Sequence, residues 1–156
     1  MTLSAVVPAV LLVPALGVSI ALAVIDLRSH RLPNRLVFAL YPFALAYAVW
    51  RGFHESSALP VVGAAISASV LFAASYLLYR GGGLGGGDVK LAGALGLATG
   101  AHGWEILVLA TAAAFLSGGL VALVLIALRR ADRRTRIPFG PFMLAGAWTM
   151  LAIALF

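Results

Sequence analysis

The 156-residue chain has no cysteine and few ionisable side chains: five acidic residues stand against eleven Lys and Arg, and 10% of the sequence is charged. The absence of thiols excludes disulfides, a thiolate nucleophile and Cys-based metal sites together, and it leaves the redox compartment unread. The shortage of charge excludes a soluble globular domain, which carries roughly 25% charged residues. In place of charge stand apolar residues, 63% of the chain, in long runs broken by short polar segments. That is the pattern of a polytopic membrane helix bundle, an all-α fold embedded in the lipid bilayer. The net charge of +6 calls for no nucleic acid, because in a membrane protein the distribution of Lys and Arg matters more than their sum.

Six apolar segments are expected: Leu3 to Ile25, Leu36 to Trp50, Ala58 to Tyr79, Leu91 to Ala101, Ile106 to Leu128 and Phe139 to Phe156. Together they make a single membrane-embedded domain over residues 1–156. Three reach the roughly 20 residues that a span needs. The second, the fourth and the last are shorter or open with helix-breaking residues. Gly96 and Gly100 form a small-xxx-small pair that suits the fourth segment to close packing against neighbouring helices. No positive residue precedes the first apolar run, which is read as a retained span rather than a signal peptide.

Lys and Arg fall into alternate loops. One face holds Arg28, Arg31 and Arg35, then Arg80 and Lys90, then Arg129, Arg130, Arg133, Arg134 and Arg136; the other holds only Arg51. By the positive-inside rule the crowded face is cytoplasmic and both termini are extracytoplasmic. Trp50 and Trp104 then fit as outer interfacial anchors. His54 and His102 share that outer side, so neither joins His30 in a metal site.

The same topology sorts the acids. Glu55 and Glu105 fall in outer loops, and Asp132 sits within RRADRRTR, where pairing with adjacent arginines accounts for it. Asp26, closing the first apolar run, and Asp88, opening the fourth, remain at the cytoplasmic end of the membrane. A carboxylate near the apolar layer is costly and marks a functional candidate. Capping its own helix would account for Asp88, but Asp26 stands at a helix C-terminus, where the macrodipole disfavours an anion. Two carboxylates at close range can share one proton, one acting as base toward water and the other as acid toward a carbonyl.

Before Asp88 runs GGGLGGG, Gly81 to Gly87. A Walker loop is excluded, because no Lys-Ser or Lys-Thr pair follows the glycines. A dinucleotide fingerprint matches formally at Gly81, Gly83 and Gly86, but no strand precedes it. What is left is a permissive backbone that lets a substrate chain and a second helix approach Asp88, or a plain linker. A transporter or channel subunit binding a proton or cation at Asp26 and Asp88 is an alternative function, as is a noncatalytic assembly factor.

Three stretches in order, DLRSHRLPN (Asp26 to Asn34), GGGDVKL (Gly85 to Leu91) and IPFGPFMLAGA (Ile137 to Ala147), resemble the type IV prepilin leader peptidases, which belong with the GxGD class of intramembrane aspartyl proteases. The resemblance implies that Asp26 and Asp88 are the catalytic aspartates. It makes Gly85 and Gly87 the glycines of GxGD, with Gly81 and Gly82 much less sensitive to substitution. Lys90 is expected to bias the dyad or hold the loop, Pro33 and Asn34 to shape the turn into the second span, and Pro138, Gly140 and Pro141 to border the site. The implied activity is aspartic endopeptidase cleavage of a prepilin or pilin-like precursor, between a basic leader and an apolar helix. It would take place at the cytoplasmic face of the bacterial inner membrane, with no metal or cofactor. Bifunctional members carry a cysteine-bearing N-terminal methyltransferase domain; beginning directly with a span, this chain is expected to be a short form without it. Oligomeric state is left open.

Overall fold

The computed structural model describes residues 3–130 and 137–155. Asp132, Arg133, Arg134 and Arg136, to which the sequence assigned an ion-paired loop, lie outside the described residues. Six helices follow one another: α1 (Leu3–Ser29), α2 (Asn34–His54), α3 (Leu59–Arg80), α4 (Gly86–Gly100), α5 (Trp104–Ala127) and α6 (Gly140–Leu155). Four of them, α1, α2, α3 and α5, are long and apolar enough to cross a membrane, which makes this an all-α, multi-pass membrane protein. At 15 and 16 residues, α4 and α6 reach only about 22 to 24 Å at 1.5 Å per residue.

Two boundaries differ from the sequence reading. The second segment, expected to be short, is a 21-residue helix: it continues past its apolar run through Gly52 to His54, and Arg51 in its last turn pairs with the C-cap residue Glu55. The fourth begins at Gly86 rather than Leu91, because Asp88 caps its N-terminus and draws the last glycines of the run into the helix.

Helix α4 lies at the centre. The other five pack in the ring α1, α2, α3, α5, α6 and back to α1, and α4 packs against α2, α3, α5 and α6. Ten residues of α4 are buried, although the sequence marks it as the least hydrophobic-looking span. Its small residues explain the placement. A Cβ added to Gly96 would stand 2.7 Å from Ala68 Cα and 2.8 Å from Ser67 O, and one on Gly100 would collide with Ser67 and meet Gly63 O at 2.8 Å. Backbones of α3 and α4 therefore touch where Gly63 and Ser67 oppose Gly96 and Gly100. The main core joins Leu22, Leu40, Leu91, Leu95, Leu144 and Ala147 from four helices.

Candidate active site

In α1 the buried residues Ala15, Ser19, Leu22 and Asp26 recur every three or four positions and form one stripe. Asp26 is the last member of that stripe, so the same periodicity that packs α1 turns the carboxyl inward. One turn later the helix ends: His30 N–H donates to Asp26 O at 2.8 Å, and His30 adopts a left-handed φ of 53°, the geometry of a helix C-cap. The Asp26 side chain is 5% exposed. Its Oδ2 accepts a hydrogen bond from Gly140 N–H, 3.2 Å away at the first residue of α6. This supplies the reason its position lacked in the sequence. Asp26 stands at the negative end of its own helix but at the positive end of another, where a free backbone N–H is available. A side chain at position 140 would fill that space, since its Cβ would lie 2.8 Å from Asp26 Oδ2.

Asp88 is the third residue of α4 and 8% exposed. Its Oδ2 accepts from Gly85 N–H at 3.0 Å, the return half of a capping box; Gly85 has no side chain to supply the other half. Capping thus accounts for one oxygen. The other, Oδ1, is buried and has no hydrogen-bond partner among the described residues. Unpaired buried carboxylate oxygens are costly and call for a functional explanation. Among the described residues, Asp26 and Asp88 are the charged side chains that are buried. They lie at the same end of the bundle, where Gly140, beside Asp26, and Gly87, beside Asp88, both face Leu32.

The remaining motif residues gather at that end in different roles. Pro33 has φ −62° and ψ 124° and is the N-cap of α2, with its carbonyl accepting from Leu36 and Val37 N–H at 3.1 Å each. Lys90 Nζ donates to Asn34 Oδ1 at 2.9 Å and lies 5.9 Å from the Phe38 ring centroid, while Tyr41 Oη donates to Lys90 O at 2.7 Å. Asn34, Phe38 and Tyr41 occupy one face of α2 at i, i+4 and i+7, so the first three turns of α2 clamp α4 through Lys90. The sequence reading missed Phe38 and Tyr41; this spacing from Asn34 was the signal for them. Pro138 and Pro141 are half-buried on either side of buried Gly140.

Only residues 81–85 of the glycine run are loop. Gly82 has φ +80°, a conformation that L-residues avoid. A Cβ at position 82 would meet nothing within 4 Å, so a substitution there carries backbone strain but no clash. Gly85 has an extended φ of −81° and needs glycine for a different reason, since its Cβ would press to 3.1 Å from Asp88 Oδ2.

A small apolar pocket of about 20 Å3 lies between α3, α4, α5 and α6, with Leu71, Ser75, Leu84, Phe115, Phe139 and Met143 among its walls. It follows the sparsest seam of the ring, between α3 and α5. One end touches the glycine loop at Leu84 and the residue before Gly140. At the far end of the bundle, His102 is held between α2 and the α4–α5 turn, its Nε2 2.8 Å from Tyr47 Oη and its ring stacked on Tyr47. Burial and the nearby Arg51 hold the His102 pKa down to about 4, so it is a neutral packing residue at ordinary pH. No group of three or more His, Asp or Glu side chains among the described residues is arranged to hold a metal ion.

Residues 12–123, which include both aspartates and the glycine loop, match the model of the type IV leader peptidase family. The chain belongs to that family. It is 34% identical over 137 residues to a prepilin leader peptidase/N-methyltransferase of Aeromonas hydrophila, covering 86% of this chain and 46% of the relative. The proteins of the same name in Pseudomonas aeruginosa and Bacillus subtilis are 34% and 33% identical, over 85% and 90% of this chain and 45% and 53% of their own lengths. The chain thus spans about half the length of these relatives. No solved structure matches it.

Proposed function

We propose that the protein is an aspartic endopeptidase that removes the leader from a prepilin or pilin-like precursor, with Asp26 and Asp88 as its catalytic pair. The observation that carries this reading is the burial of two carboxylates at one end of an otherwise apolar bundle. Each is fixed by one oxygen to a backbone N–H at a helix start, and Asp88 Oδ1 has no partner among the described residues. Two carboxylates at short range hold one proton between them, because like charges disfavour double ionisation. A water bound between them attacks the scissile carbonyl. The ionised aspartate takes its proton, the protonated one donates to the carbonyl oxygen, and collapse of the tetrahedral intermediate returns a proton to the leaving amine.

Gly85 and Gly140 give the carboxylates close backbone approach, and Gly87 lets Leu32 pack beside the start of α4. Pro33, Asn34 and Lys90 lock the start of α2 to α4, and Pro138 and Pro141 shape the approach to α6. The basic loops support a cytoplasmic site with both termini outside, in the inner membrane. The substrate that fits is a basic leader followed by an apolar helix that remains in the bilayer, the leader junction unwinding over residues 81–85. Ion transport is disfavoured by the interior beyond the aspartates, where Leu22, Leu91, Leu95 and Leu144 pack into one apolar cluster rather than a polar path.

Co-expression with a candidate prepilin, followed by its mobility shift and N-terminal sequencing, tests the reading. Asp26→Asn and Asp88→Asn are each expected to abolish processing while leaving the amount of protein in the membrane unchanged. Continued cleavage by either variant would remove that aspartate from the mechanism.

A further inference from the structure

Leu32 belongs to the turn between α1 and α2, and its apolar side chain packs at the edge of the main core. Two glycines from distant parts of the chain face it. A Cβ on Gly87, the residue before Asp88, would stand 2.8 Å from Leu32 Cβ and 3.3 Å from Cδ1. A Cβ on Gly140, whose N–H binds Asp26, would stand 3.2 Å and 3.3 Å from the two Leu32 methyls. The leucine thus seats in two notches, one beside each carboxylate. Neither notch needs glycine for its backbone angle, since both residues are helical with ordinary φ. The missing Cβ atoms make room for this side chain and, at Gly140, also for Asp26 Oδ2, from which a Cβ would stand 2.8 Å.

We propose that Leu32 is the positioning residue that sets the separation of Asp26 and Asp88. It does so as a wedge between the first turn of α4 and the first turn of α6. Close-packed apolar contacts transmit displacement because they compress little. A shift of Leu32 forced at Gly87 drives its methyls against Gly140 and moves the N–H that holds Asp26. The catalytic consequence rests on the aspartyl-protease reading; the geometric one does not.

Two measurements separate these. Since the chain has no cysteine, Asp26→Cys and Asp88→Cys together create a single thiol pair, whose oxidative cross-linking rate in membranes reports their separation without activity. Adding Leu32→Ala is expected to raise that rate by about threefold or more, whereas Leu32→Met leaves it within about twofold, because methionine can refill the same volume. An unchanged rate in the Leu32→Ala chain overturns the proposal, whether or not the protein proves to be a protease. With both aspartates intact and prepilin as substrate, Leu32→Ala is expected to lower kcat by about tenfold or more at nearly constant KM. It should also move apart the two limbs of the pH–rate bell, as closer carboxylates couple more strongly. Gly87→Ala should cost less in the Leu32→Ala background than alone, since the shortened side chain no longer reaches Gly140. Equal loss in both backgrounds with unmoved pH limbs makes Leu32 a plain core residue. No cleavage by the unaltered chain refutes the protease reading and leaves the cross-linking result to decide the wedge.

Discussion

At the scale of single residues, each candidate carboxylate is held through one oxygen by a backbone N–H at a helix start. Asp88 Oδ2 is tied to Gly85 and Oδ1 has no partner among the described residues; Asp26 Oδ2 is tied to Gly140. The glycines nearby differ in what they contribute, and the difference is measurable. Gly140→Ala places a methyl 2.8 Å from Asp26 Oδ2, so the carboxylate must move; cleavage of prepilin should fall by about a hundredfold, as expected for a misplacement near 1 Å, with protein still accumulating. Gly82→Ala meets no neighbour but must adopt φ +80°. It should cost about 1 kcal/mol of stability, read as a lower unfolding temperature in detergent, with cleavage per folded molecule within about twofold. Asp26 and Asp88 were legible in the sequence because acids are scarce and apolar surroundings make each one conspicuous. Gly140 was legible only as part of a motif. The N–H that it donates belongs to a backbone position that α6 brings 114 residues along the chain to Asp26, and no local pattern encodes that meeting.

Among the helices, α4 shows how composition and position can mislead separately. Its alanines and glycines gave the shortest and weakest apolar run, yet it is the helix the others surround, because small residues permit backbone contact where large ones would not. Hydropathy ranks spans by their fitness for lipid, and α4 faces protein. The other side of the same fact is the length of α2, underestimated because polar ends look like loops until Arg51 is seen in the last turn, paired with the C-cap Glu55. The pair Gly96 and Gly100 carried the correct signal. Gly96→Leu would drive a side chain into Ala68 and Ser67, where even a Cβ lies 2.7 Å from the Ala68 backbone. The expected result is overpacking that costs about 1 to 3 kcal/mol, seen as reduced membrane abundance and a lowered unfolding temperature. Leucine at Gly119, whose added Cβ meets nothing within 4 Å, is the control and should change neither. Equal behaviour of the two would mean that α3 and α4 are not packed backbone to backbone.

For the whole molecule, six helices running alternately up and down bring the C-termini of α1 and α3 and the N-termini of α2, α4 and α6 to one end. That connectivity converts motifs separated by more than a hundred residues into one site, and it puts Arg28, Arg31, Arg35, Arg80 and Lys90 around it while Arg51 lies at the other end. Lys and Arg near span ends resist translocation, so the proposed orientation puts the aspartates on the cytoplasmic side, from which a precursor with a basic leader would arrive. The absence of native cysteine makes this orientation directly measurable. Ser29→Cys and Ala58→Cys are both exposed and stand at opposite ends of the bundle. In intact spheroplasts a membrane-impermeant maleimide should label Ala58→Cys and spare Ser29→Cys, and in inverted vesicles the order should reverse. Labelling of Ser29→Cys from outside would put the aspartates on the extracytoplasmic face, where the leader of a precursor still anchored by its apolar helix would be on the wrong side of the membrane to be cut.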